Sequence, residues 1–257
     1  MTELLEDKIL DCNHNPDFSY KIGKLKGIPV FNIPAIKTCP HRTKACEAYC
    51  YAKGGFFAMP WTKQLLDRNY EASKCDCFVP RMKAIIDYLI GPHKRNKVTR
   101  IRVHSSGDFY SLKYFEKWLD IIRCYPDITF IAYTRNRAIN MLVIPENLIL
   151  FYSVDHTTEA INPTAQRLAV VLDLYKHDAY TTANHLDEFE GGRVCLSERC
   201  DLCLYCFNKD SKNVYFFQRA KRHSIPLKEA EKMMDETGDT WANDQILLPM
   251  VEASEVS

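Results

Sequence analysis

Residues 99–135 read TRIRVHSSGDFYSLKYFEKWLDIIRCYPDITFIAYTR, and they set the architecture. Residues 99–104 alternate, with Ile101 and Val103 facing one way and Arg100, Arg102 and His104 the other, as in a half-buried strand. Ser111 is placed to cap a helix whose apolar face is Phe115, Trp118, Leu119 and Ile122. Residues 128–134 then form a second strand. Strand, helix, strand at this spacing predicts parallel strands joined by crossover helices, hence an α/β fold.

The pattern extends both ways. Upstream, 27–35 reads as a short strand, 44–53 as a helix stopped by Gly54 and Gly55, and 61–74 as a second helix. Phe78, Met82, Ile85 and Leu89 mark a third helix, ended by Gly91 and Pro92. Downstream, 148–154 is a strand. Asn162 and Pro163 open a predicted helix with the face Leu168, Val171, Leu172 and Tyr175, and 178–182 is a short strand. The predicted fold is a partial or distorted (β/α) barrel of parallel strands with a small C-terminal Cys-rich metal-binding segment. Its divisions are an N-terminal extension over 1–26, an α/β core over 27–190, and a Cys-rich segment and acidic tail over 191–257.

The 257 residues carry 34 Lys and Arg against 33 Asp and Glu. A net charge of +1 argues against a broad basic surface for phosphate backbones, although nucleic acid stays among the possible partners. No apolar run reaches membrane-spanning length, and the acidic, mixed start is wrong for a signal peptide. The expectation is a protein of the host-cell cytoplasm.

Polar residues collect where successive strands end: Ser105, Ser106, Gly107 and Asp108; Tyr133, Thr134 and Arg135; Ser153, Asp155 and His156. Sheets of parallel strands place their ligands there. His104 reads better as a satisfied core histidine than as an acid–base group.

Eleven cysteines are the unusual feature. Cys12, Cys75, Cys77 and Cys124 are scattered, and Cys75-Asp76-Cys77 reads as structural. Cys39, Cys46 and Cys50 are spaced C-x6-C-x3-C, and on one helix Cys46 and Cys50 would share a face, about 6 Å apart at Cβ. Three thiols converging from a loop and a helix suit a 4Fe–4S cube with one iron left open. Zinc completed by His41 is the alternative. Cys195, Cys200, Cys203 and Cys206 are spaced C-x4-C-x2-C-x2-C, too dense for packing and too short for unstrained mutual disulfides. This points to metal, either a second 4Fe–4S cluster or zinc. A four-cysteine site is closed, so it braces the fold or relays electrons. Arg219, Lys221, Arg222 and His223 are a short basic stretch that reads as a solvated helix end.

An open three-cysteine site beside a closed four-cysteine site resembles radical S-adenosylmethionine proteins that carry an auxiliary cluster. That resemblance implies a role in cofactor binding for aromatic Tyr49, just before the third cysteine, and for Ser106, Gly107 and Asp108 at the methionine end. Tyr133 and Arg135 would face the cofactor's other parts, and a reductase or ferredoxin-type donor would supply electrons for an unknown substrate. The cysteine spacing is wider than that superfamily's C-x3-C-x2-C. More closely, TCPHRTKACEAYCYAKGGFF, RVHSSGDFYS, YTR and the C-terminal cysteine pattern resemble the phage and mobile-element gene product 88 family, over about 32–207. That implies a viral or mobile-element origin and no reaction. The other reading that the residues allow is a non-catalytic zinc- or cluster-stabilised module that binds nucleic acid or protein.

Overall fold

A computed structural model describes residues 15–20, 23–92, 94, 98–172, 192–195, 197 and 199–217. Its strands are β1 (Val30–Phe31), β2 (Arg100–Val103), β3 (Thr129–Thr134), β4 (Leu148–Asp155), β5 (Leu168–Leu172), β6 (Gly192–Val194) and β7 (Asn213–Phe217). Its helices are α1 (Lys44–Ala48), α2 (Pro60–Lys74), α3 (Phe78–Ile90), α4 (Leu112–Arg123) and α5 (Cys200–Cys203). Among the described residues the strands form one seven-stranded sheet in the order β1-β2-β3-β4-β5-β7-β6, and every pairing is parallel. The parallel α/β expectation therefore holds. The strand order does not close a ring, because β1 and β6 do not pair among the described residues.

Alternation along the central strands divides the sheet into two faces. On one, Ile101, Val103, Phe130, Leu148, Leu150 and Val170 pack with Phe78, Met82 and Ile86 of α3 and with Phe115, Trp118 and Ile122 of α4. Burying each such side chain contributes about 1.5–3 kcal/mol, which makes this helix-covered face the main core. The opposite face carries Ile131, Ile149, Phe151, Ala169 and Val214, and packed on it are Phe207, Cys195, Cys200 and Cys206. A sheet apolar on both faces needs two covers. Helices supply one, and the cysteine-rich segment contributes to the other.

α4 begins as the sequence predicts: the Tyr114 amide donates to Ser111 Oγ at 3.2 Å. Ser19 of the N-terminal stretch makes an antiparallel bridge to Val30, and Phe18 is buried in the main core.

Several expectations need correction. The strand over 27–35 is reduced to β1, between Pro29 and Asn32. The helix over 44–53 ends at Ala48, with Tyr49 as its C-cap; Cys50 is extended before a 3-10 turn over Tyr51–Lys53. Cys46 and Cys50 therefore do not share one helix face. The helix expected after Asn162 is instead a turn followed by β5. Asn162 Oδ1 accepts from Thr164 N and Oγ1, which closes an Asx turn rather than a helix cap. The run LAVVL is apolar at every position, so periodicity cannot separate strand from helix there. Crossover helices also fail to recur: 135–147 and 156–167 link parallel neighbours without a helix. The predicted strand over 178–182, the basic stretch 219–223 and the tail 235–257 lie outside the described residues.

Two thiol groups on one sheet face

The carboxyl ends of β2, β3 and β4 are locked together by one carboxylate and one ion pair. Asp108 is buried, and its Oδ1 accepts from Phe109 N at 2.6 Å and Thr134 Oγ1 at 2.7 Å. Its Oδ2 accepts from Arg135 N at 2.8 Å. Burial pushes the Asp108 carboxyl up, against these three bonds and the Arg135 charge. Ser105 N and Ser106 N both donate to Asn32 Oδ1, and Ser106 Oγ donates to the Ile33 carbonyl. Gly107 stands at φ 85°, where a Cβ would lie 2.4 Å from Ile33 Cγ1 and 2.7 Å from Thr38 Oγ1. Only glycine fits that turn.

Arg135 reaches across to Asp155, Nη2 to Oδ2 at 2.8 Å, with both side chains nearly inaccessible. Asp155 also accepts from Thr43 Oγ1 at 2.5 Å and from Thr157 N and Oγ1. Burial alone would raise Asp155; Arg135 and these hydrogen bonds outweigh it and hold the carboxyl below its ordinary range. Thr43 in turn caps α1, accepting from Cys46 N at 3.1 Å. One threonine thus ties the cysteine-bearing helix to the sheet.

This frame brings the first three cysteines together. Cys39 lies near enough to Asp108, Cys46 and Cys50 for their charges to bear on its thiol, and Cys46 lies near Arg135 and Cys50. Burial, then the nearby Asp108 charge, pushes the Cys39 thiol up to about 12. Burial also raises Cys46, while the Arg135 guanidinium pulls it down. Tyr49 is 48% exposed, His41 is exposed, and the hydroxyl of exposed Tyr51 donates to the Ser105 carbonyl.

The second group is assembled from β6, α5 and a 3-10 turn over Tyr205–Phe207. Cys195 follows β6 directly, and its amide donates to the Tyr215 carbonyl of β7 at 2.8 Å. Leu204, in the left-handed region at φ 53°, turns the chain between Cys203 and Cys206. Phe207 anchors the turn in the core, and the Tyr205 hydroxyl joins Lys212 N to the Asn213 carbonyl. Cys200 interacts electrostatically with Cys195 and Cys203, and Cys206 with Cys195 and Cys200. Burial, then neighbouring Cys195, raises the Cys200 thiol to about 11; for Cys206 burial is again the largest cause, and the thiol rises to about 12. A cavity of about 20 Å³, room for one water, is lined by Cys195, Cys203, Cys206, Arg193 and Tyr205.

The two groups occupy successive levels of the same face. Tyr133 packs in the same cluster as Cys206, and Arg135, two residues further along the chain and a step of about 7 Å on an extended chain, lies near Cys46. Of the expected cofactor residues, Asp108 and Arg135 lie near thiols of the first group, and Ser106 and Gly107 pack against Ile33 and Thr38, just before Cys39. Tyr133 belongs to the second, stacked on Phe151 at 5.0 Å. Among the described residues no group of three or more His, Cys, Asp and Glu side chains is arranged to hold a metal ion.

His104 departs from the strand's alternation. At φ 63° its ring turns into the main core, among Phe31, Phe109, Tyr114 and Trp118, with Nε2 2.9 Å from the Tyr114 hydroxyl. It is a core histidine. Residue-by-residue reading of the sequence gave no weight to Thr43, although T-x-x-C at a helix start is a capping signature. Arg102 was visible only as a pocket-facing position.

A parallel α/β protein with two thiol groups on one sheet face is the class these observations define. The family model described as "Gene product 88" matches residues 11–227, and the chain belongs to that family. The chain is 28% identical over 125 residues to the Gene 88 protein of Mycobacterium phage D29 and, equally, to that of Mycobacterium phage L5. Each alignment covers 46% of this chain and 52% of the relative, so the chain spans about half the length of the curated relatives it matches. Phage relatives agree with the viral or mobile-element origin that the motifs imply. No solved structure matches. Among the described residues no helix is long and apolar enough to cross a membrane.

Proposed function

We propose that the chain is an iron–sulfur protein with two centres and an enzyme resembling radical S-adenosylmethionine proteins. In this reading Cys39, Cys46 and Cys50 hold a 4Fe–4S cluster with one open iron. Cys195, Cys200, Cys203 and Cys206 hold a closed cluster. The observation that carries the reading is that Cys195, Cys200 and Cys206 pack on one face of the parallel sheet, while the helix that bears Cys46 is tied to the carboxyl ends of β3 and β4 through Thr43, Asp155 and Arg135. The donor chemistry fits: thiolates are the ligands of such clusters, and Arg135 at one set and Arg102 and Lys24 at the other offer the positive charge that anionic centres need.

When bound, S-adenosylmethionine would supply a carbon radical on reduction by a ferredoxin-type donor. The chain's own contribution would be positioning. The loop at Ser106–Gly107–Asp108 lies beside Cys39, and Tyr49 borders Cys50. Ser106 Oγ and the Asp108 carboxylate are engaged within the protein, so these residues would shape the backbone rather than offer side chains to a ligand.

That same engagement favours a second reading, a metal-stabilised binding module without catalysis, in which zinc is the alternative metal. Two measurements on protein purified without oxygen separate the readings. The enzyme reading expects S-adenosylmethionine to raise the melting midpoint and to be cleaved on reduction, with cleavage lost in a folded Cys50→Ala variant. No midpoint shift together with no cleavage would leave the binding module.

A further inference from the structure

Between the first thiol group and the body of α2 the chain carries an exposed aromatic surface. Tyr51, Phe56, Met59 and Trp61 are 41% to 62% exposed, the densest set of exposed large apolar side chains among the described residues. Single exposed rings are ordinary, but a run of them rimmed by charge marks a binding surface. The rings are held in place. Buried Phe57 anchors the segment, and Tyr51 and Phe56 pack against it with ring centroids at 5.9 and 6.4 Å. The Tyr51 hydroxyl donates to the Ser105 carbonyl, and Met59 N donates to the Phe56 carbonyl just before the helix that presents Trp61. A Cβ at Gly54 or Gly55 would meet no atom within 4 Å, so the surface between Lys53 and Phe56 is open. The surroundings are positive. Lys53 and Lys63 are exposed, and residues 48–66 contain no Asp or Glu. The flanking carboxylates are already engaged, Glu47 by Arg42 at 2.8 Å and Asp67 by Lys37 at 3.8 Å. Lys53 bonds a neutral group, the Glu47 carbonyl, at 2.9 Å, so its charge stays available.

We propose that this segment is a docking surface for single-stranded DNA, with bases stacked on Tyr51, Phe56 and Trp61 and phosphates paired with Lys53 and Lys63. An unpaired strand offers flat base faces and regular negative charge together, which is what interleaved rings and ammonium groups complement. An apolar protein partner would cover the rings and leave the lysines unanswered, and a duplex keeps its base faces stacked inside. Residues 49–63 contain no Asp, Glu, Asn, Gln or Ser to read a ribose 2′-hydroxyl, so the strand is assigned as DNA. A net charge of +1 suits a short stacking platform better than a broad surface that tracks phosphates. The inference rests on the binding-module reading, to which it gives a partner. It uses none of the cysteines, so its failure and that of the metal centres are separable.

The test uses the full chain prepared without oxygen and a labelled oligothymidylate of about 16 nucleotides, read by fluorescence anisotropy across a salt series. Comparison arms are a duplex of the same length, the matching oligouridylate, and vesicles containing phosphatidylserine. The variants are Trp61→Ala, Phe56→Ala and the pair Lys53→Ala with Lys63→Ala; Val143→Ala, exposed elsewhere, is the control. These side chains are exposed, and melting curves check that each variant folds. The strand should bind about tenfold more tightly than the duplex, and each ring variant should weaken it about tenfold. The lysine pair should lower the slope of log affinity against log salt by about 1.4, at about 0.7 per phosphate contact. Val143→Ala should change nothing. No strand binding at low salt, equal affinity for duplex, or unchanged affinity in both folded ring variants overturns the inference. So does tighter binding of the oligouridylate, which would make the strand RNA. Vesicle binding that Trp61→Ala abolishes, with no strand binding, overturns it in favour of a lipid surface. Metal content is measured on the same preparation. Metal without strand binding removes this inference alone, and strand binding without metal keeps it and removes the metal centres.

Discussion

His104 shows how one residue's backbone can override the pattern around it. The strand's alternation assigns it to the polar face, but a left-handed φ of 63° sends the ring into an aromatic enclosure. Burial first, and Arg102 second, lower its pKa to about 3. A histidine depressed below its ordinary 6.5 contributes stability that is complete above pH 6.5 and drains away as pH falls toward 3. The slope approaches about 1.4 kcal/mol per pH unit. Comparing unfolding free energies of wild type and His104→Asn over that window should show a shallower acid limb in the variant; parallel curves would contradict the assignment. Gly107 makes the complementary case, because no alternation signal bears on it. Gly107→Ala meets Ile33 and Thr38 at under 3 Å and also strains φ, so a loss of about 2–4 kcal/mol is expected from chemical denaturation. A change within about 0.5 kcal/mol would mean the loop simply shifts.

At the level of elements, β2, α4 and β3 were readable because each carries a complete local signal: alternation, a serine cap, a helical stripe. β5 was not, since a continuous apolar run has no period to read. Nor were the helix-free links after β3 and β4, whose parallel pairing rests on long-range contacts. The early end of α1 was hidden as well, because Tyr49 and Cys50 are compatible with helix until tertiary contacts draw them away. The join between β2 and β3 depends on Asp108, which meets Thr134, Arg135 and Phe109 at once. Asp108→Ala leaves those buried donors unpaired, and a cost of about 2–4 kcal/mol is expected in equilibrium unfolding. Because the same join carries Arg135 toward Cys46, metal loading of the first group should fall in that variant. Wild-type stability and loading together would show that the three bonds are dispensable.

For the whole molecule, one sheet face is a helix-packed hydrophobic core and the other carries the thiols. The division of the thiols into two groups is a reading of spacing, and among the described residues neither group is arranged to hold a metal ion. Their placement at neighbouring levels of one face was not legible there, because about 145 residues of chain separate the groups. Among the described residues, short turns that carry thiols contribute to the cover of this face, so metal bound there should contribute to global stability. Removing metal from the loaded protein with a chelator is expected to lower the melting midpoint by several degrees, and Cys203→Ser should reproduce the effect. An unchanged midpoint would mean the second face is held by packing alone.

The central claim, two iron–sulfur centres on one sheet face, is tested most directly by iron, zinc and acid-labile sulfide analysis of protein made and purified without oxygen. Two such centres require about eight irons with matching sulfide per chain, which is the expected result. Zinc without sulfide, or neither metal, would contradict it.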